Sequence, residues 1–143
     1  MTQKVSDSMI ADSGTLPAWD GSALTGTITN RLLKDYGEVT NALGDLGGGT
    51  DAIDLTLGNS VSATVSTSAQ TFTFTNPTAS DELCGFTLVL TNGGSQTVNW
   101  PASVDWAGGT APTLTTAGVD ILVFITNDAG TIWHGMISSG DSK

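Results

Sequence analysis

From residue 51 to the end of the chain, apolar and polar residues alternate with a period of two, and no other feature constrains the fold as strongly. Successive side chains of a strand point to opposite faces, so such alternation marks strands with one buried and one solvated side. Ile53, Leu55 and Leu57 alternate with polar residues, then Val61, Ala63 and Val65, then Phe72 and Phe74 among threonines. Phe86, Leu88 and Leu90 resume the rhythm before Asn92, Gly93 and Gly94, and residues 97–100 read as the return strand of a hairpin. Residues 121–125, ILVFI, run without alternation, which predicts a strand covered on both faces. A turn over residues 127–130 then leads into a last strand that ends near Ile137. Roughly seven or eight short strands with frequent turns predict a mainly β fold. The expected form is an antiparallel β-sandwich or jelly-roll-like knob spanning residues 50–143.

Upstream of residue 50 the rhythm is different. Leu32, Tyr36, Val39, Leu43 and Leu46 recur at spacings of four and three, the seam of a heptad helix. Asn30 or Thr29 suits the N-cap, and Gly47, Gly48 and Gly49 suit the end, so residues 29–49 are expected to form one short α-helix and a glycine linker. A helix this short, with Gly37 and Gly44 inside it, is marginal alone in water. It needs neighbours, either a face of its own β-domain or copies of itself; the narrow seam suits copies better, and a trimeric bundle through those five residues is the expectation.

Residues 1–28 mix small, polar, Gly and Pro residues with isolated apolar anchors, among them Met9, Ile10, Leu16, Trp19 and Leu24. Such a segment cannot bury its own anchors. It is expected to lie extended on another surface as an attachment arm.

With four basic residues against fourteen acidic ones, the formal charge is −10. Phosphate neutralisation by Lys and Arg supplies most nucleic-acid affinity, so nucleic acid is not an expected partner. Anionic membrane surfaces are disfavoured for the same reason, and no stretch approaches the ~20 apolar residues of a membrane span. No apolar run resembles a signal peptide, and the chain is expected to be made in a cytoplasm.

Catalytic chemistry has little to draw on. The one histidine, His134, sits mid-strand with no nucleophile motif around it, and no acidic cluster matches a calcium loop. Neither a cofactor nor a metal is expected, and Cys84 reads as a small buried hydrophobe. The four tryptophans permit one binding hypothesis, because indole faces stack on sugar rings while carboxylates take sugar hydroxyls. Trp100 and Trp106, with Asp105 beside them, are the candidates for a glycan contact. Core packing is the competing role for both rings.

Residues 16–26, LPAWDGSALTG, resemble a short motif that recurs in tail-fibre and related proteins of tailed bacteriophages. Residues 108–135, GGTAPTLTTAGVDILVFITNDAGTIWHG, are similar to a closing β-hairpin module at the C-terminus of such virion-surface proteins. The resemblance implies a homotrimer on the virion surface, attached by its N-terminal part, with the C-terminal domain outward. An extended fibre shaft is missing from the sequence. That favours a capsid decoration (cement) or head-fibre protein bound to the major capsid protein or another virion component. The alternative is a short tail fibre that recognises a host-surface glycan.

Overall fold

The computed structural model describes residues 36–142, which belong to one compact unit beginning at Tyr36. The arm anchors Met9, Ile10, Leu16, Trp19 and Leu24, and the seam residue Leu32, lie outside the described residues. Nine strands follow one another: β1 (Thr40–Leu46), β2 (Gly49–Asp54), β3 (Ser60–Val65), β4 (Gln70–Thr75), β5 (Ser80–Thr91), β6 (Val98–Asn99), β7 (Val104–Trp106), β8 (Val119–Asp128) and β9 (Trp133–Ser142). They build a six-stranded sheet in the order β1-β3-β5-β8-β9-β7 and a three-stranded sheet in the order β2-β4-β6. The fold is mainly β, as the alternation implies.

The connectivity is not that of an antiparallel sandwich. Through β6, successive strands change sheet at every step, and each pairs in parallel with the strand two places earlier. Residues 40–99 therefore wind as a flattened coil of three circuits, with β1-β3-β5 on one side and β2-β4-β6 on the other. Antiparallel pairing is confined to β5 with β8 and β8 with β9. The expected hairpin across residues 92–94 is accordingly absent. Asn92 adopts a left-handed conformation there, and the chain crosses to the other sheet, where β6 pairs with β4. The residue 127–130 turn does close a hairpin, and Asp128 supports it: its Oδ1 accepts from Ile132 N at 3.0 Å and from Thr126 Oγ1 at 2.8 Å.

Where residues 36–49 are described, they contain no helix. Residues 36–39 are irregular, and Thr40–Leu46 is strand β1, paired in parallel with β3. A bulge accounts for the last step of the helical spacing, from Leu43 to Leu46. Ala42 pairs with Ser62 and Gly44 with Ala63, so Leu43 is an extra residue that shifts the alternation by one. Leu43 and Leu46 then both reach the core at a spacing of three, as they would on a helix. Gly44 takes φ +75°, a conformation that costs other L-residues energy and that suits the bulge.

The core lies inside the coil and continues under the hairpin. Val61, Val65, Leu88, Leu90 and Leu122 face Ile53 and Phe72 across the two layers. At one end the packing becomes aromatic, with Phe74, Phe86, Phe124 and Trp133 in mutual edge and stacked contacts at 4.9–5.6 Å. Cys84 is buried among these groups, as expected of a small hydrophobe. Asp120 is fully buried on the inward face of β8. Its Oδ2 accepts from Thr115 N at 2.6 Å, and its Oδ1 accepts from Thr115 Oγ1 at 2.7 Å and Asp141 N at 3.1 Å. One carboxyl group thus ties the loop before β8 to the end of β9.

The run at residues 121–125 is buried on one face only. Leu122 and Phe124 are in the core, while Ile121, Val123 and Ile125 are half-buried on the outer face. No described strand pairs against that face.

Candidate functional site

Of the residues proposed for sugar contact, two meet at one open groove of about 560 Å³ on the β7–β9 edge, lined by Asp105, Trp106, residues 107–109, His134, Gly135 and Met136. The parallel pairing of β7 with β9 builds it, placing Asp105 beside His134 and Trp106 beside Gly135. Asp105 and His134 are both exposed. A Cβ at residue 135 would lie 2.8 Å from Trp106 Cζ3, so the glycine lets the indole lie tight against β9. That packing removes the stacking face. Trp106 is only 9% exposed, and its ring contacts Trp100 at 5.5 Å and Phe124 at 5.5 Å. Trp100 is half-buried and stacks on Phe72 at 5.5 Å with an interplanar angle of 23°. Both tryptophans are core aromatics, and what the groove offers a ligand is a carboxylate, an imidazole and a thioether over the edge of an indole. The spacing of Asp105 and His134 from each other in sequence gives no hint of this meeting. Among the described residues, no cluster of three metal-ligating side chains occurs.

The seam residues expected at a subunit interface separate into two sets. Leu46 is 4% exposed, and the half-buried Leu43 packs against the same core. Tyr36 and Val39 are 66% and 72% exposed. Val39 also lines a second open groove, of about 350 Å³, with Glu38, residues 55–59 and the exposed Leu57. This groove lies beside the start of β1 at the first circuit of the coil. Sequence reading missed Leu57, because the alternation assigns it to a buried strand face. It instead ends the 3-10 turn Leu55–Leu57, whose entry is capped by Asp54.

Asp54 is the most heavily hydrogen-bonded exposed carboxylate of this corner. Its Oδ1 accepts from Asn76 Nδ2 at 2.9 Å, Thr56 N at 2.9 Å and Thr56 Oγ1 at 2.7 Å. The Asn76 and Thr56 bonds hold its carboxyl below the ordinary value of 3.8. Asp128 is likewise lowered, chiefly by the Ile132 N–H and then by Thr126. Both shifts follow from turn geometry, since hydrogen bonds to a carboxylate favour its charged form.

Comparison with protein-family models, curated proteins and solved structures gives no match. Among the described residues, no helix is long and apolar enough to cross a membrane.

Proposed function

We propose that the chain is a non-catalytic structural protein of a bacteriophage particle, a self-associating decoration or head-fibre protein displayed on the virion surface. In this reading residues 1–28 hold the major capsid protein or another virion component, three copies associate, and the unit from residue 36 onward faces outward. The observation that carries it is the asymmetry of the coil. Stacked parallel circuits leave unpaired strand edges at each end, and solenoids are soluble only when their ends are covered. The six-stranded sheet continues past β5 into the β8–β9 hairpin and β7, whereas β1 and β2 are edge strands at the other end. Tyr36, Val39 and Leu57 are exposed at that first circuit. A chain with apolar side chains exposed beside the edge strands of its first circuit suits a subunit of an assembly.

Cryo-EM of intact particles encoding the chain tests this reading. Density for the β unit on the shell, lost when residues 1–28 are deleted, is the expected result. Particles that never contain the chain refute it.

The groove at Asp105 and His134 supports a second reading, in which the displayed unit recognises a host-surface glycan. A glycan array separates the two. Retention that disappears in Asp105→Ala favours the second, and an empty array with a normal particle location favours the first.

A further inference from the structure

We infer that the outer face of the six-stranded sheet, at its β1-β3-β5-β8-β9 part, is the surface by which one copy of this chain binds another. The inference rests on the self-association proposed above and names the surface that carries it. Strand register sets the composition of that face. Thr40, Ser60, Thr87, Val123 and Met136 stand side by side in one row across five strands. The adjacent row runs Ala42, Ser62, Val89, Ile121 and Ser139. Neither row contains a charged side chain. The hydroxyl-bearing half lies on the coil and the aliphatic half on the hairpin.

Three observations point to a second copy as the occupant. The first is charge: the chain holds fourteen acidic and four basic residues, so two copies repel wherever their carboxylates meet. Close approach is favoured on a face whose acidic groups stand at the rim, and they do: Asp45 pairs with Thr64 in the next row, and Asp105 sits beside His134 at the far edge. A basic partner would instead be recognised through carboxylates at the centre of the face, and the two rows hold none. The second is extent. Five strands about 4.8 Å apart, followed over the roughly 13 Å that two outward rows span, give roughly 320 Å² in projection, the uncharged centre of an interface that in stable complexes covers ~800 Å² per partner. The third is access and shape. An open, shallow groove of about 130 Å³ runs along Ala42, Ser62, Thr64, Val89 and Thr91, so small side chains lie beside the taller Val89, Ile121 and Val123. A ridge beside a trough lets the ridge of one copy seat in the trough of the next, a head-to-tail contact that closes into a ring of three.

Sedimentation equilibrium of the full chain from 1 to 100 μM tests the inference, using Ser62→Glu and Thr87→Glu on the face and Leu57→Glu at the first circuit. The expected result is an oligomer that each face variant weakens at least 100-fold, while far-UV circular dichroism and Leu57→Glu association match the wild type. Face variants that associate like wild type while Leu57→Glu dissociates overturn this inference and leave self-association standing. A wild-type monomer at 100 μM overturns both. Should a glutamate variant fail to fold, Ser62→Cys decides the matter through its rate of maleimide labelling. A slowing of tenfold or more between 1 and 100 μM supports the buried face, and a rate independent of concentration overturns it.

Discussion

Substituting Gly44 by alanine gives opposite results for a bulged strand and for a helix. In β1, Gly44 holds φ +75°, and nothing lies within 4 Å of the position its Cβ would take, so the substitution adds backbone strain without a clash. A left-handed conformation costs an L-residue about 1–2 kcal/mol. Restricting the unfolded chain returns about 0.4–1 kcal/mol of that. The net expectation is a loss of about 0.5–1 kcal/mol. Were residues 29–49 a helix, the same change would stabilise it by about 0.8–1 kcal/mol, because glycine is a poor interior helix residue. Urea unfolding followed by tryptophan fluorescence resolves the sign, since Trp100, Trp106 and Trp133 all belong to or pack on the core. With a slope near 2 kcal/mol/M, the midpoint of Gly44→Ala falls by about 0.3–0.5 M. Gly44→Asn should fall less, since asparagine enters the left-handed region more readily. An alanine variant as stable as wild type, or more stable, refutes the bulge as the source of the leucine spacing.

Three further outcomes follow from the interior and the turns. Asp120→Asn should lose about 1–3 kcal/mol in the same assay, because the new amide group must face at least one of the three donors that the buried carboxyl satisfies; a change under about 0.5 kcal/mol contradicts its role as a tie. Asp54 and Asp128 have folded pKa values below the ordinary 3.8, so their contribution is present above that value and is lost as pH falls through the lower folded values. Melting temperature should therefore drop below about pH 4, and less steeply in Asp54→Asn and Asp128→Asn; slopes identical to wild type would falsify the linkage. Cys84, buried and without a disulfide partner, should react with a thiol reagent only at the rate of unfolding. Rapid labelling of the native protein would contradict its placement.

Much of the β unit was legible because the inward residues of β3, β4 and β5 keep the alternation without interruption. Val61, Ala63 and Val65, Phe72 and Phe74, and Phe86, Leu88 and Leu90 face the interior as the pattern implies, although Phe74 is only half-buried. What the pattern does not encode is the partner of each strand. A parallel and an antiparallel strand present the same alternation, and the turn-prone Asn92 and the glycines after it serve a change of sheet as well as a hairpin. Over residues 36–49 the helical pattern misleads for a specific reason, since one bulge residue, Leu43, converts a period of two into a local spacing of three. The Asp105–His134 groove was half visible. Asp105 and Trp106 are neighbours in sequence, but His134 arrives only through the pairing of β7 with β9, which links residues that far apart by topology alone. Of the two roles open to Trp100 and Trp106 in the sequence, glycan stacking and core packing, their burial follows the second, and composition alone cannot tell a stacking platform from a core.

Deleting residues 1–35 would test how far the β unit stands alone. Among the described residues, the hydrophobic core and the partly buried Leu43 packed on it lie between Leu43 and Trp133, and the compact unit begins at Tyr36, so the shortened chain retains the burial seen in that unit. Its urea midpoint should match that of the full chain within about 0.3 M, a difference near 0.5 kcal/mol at a slope of ~2 kcal/mol/M. Association should separate from folding in this variant. If the outer sheet face joins the copies, the shortened chain still forms the wild-type oligomer, since Ser62, Thr87 and Val123 are all present. If the copies were held together by residues before Tyr36, it would remain folded and become monomeric. A shortened chain that fails to unfold cooperatively would show that the first circuit, whose β1 and β2 edges pair with no other described strand, needs the preceding residues to be stable. The coil would then not be an autonomous unit.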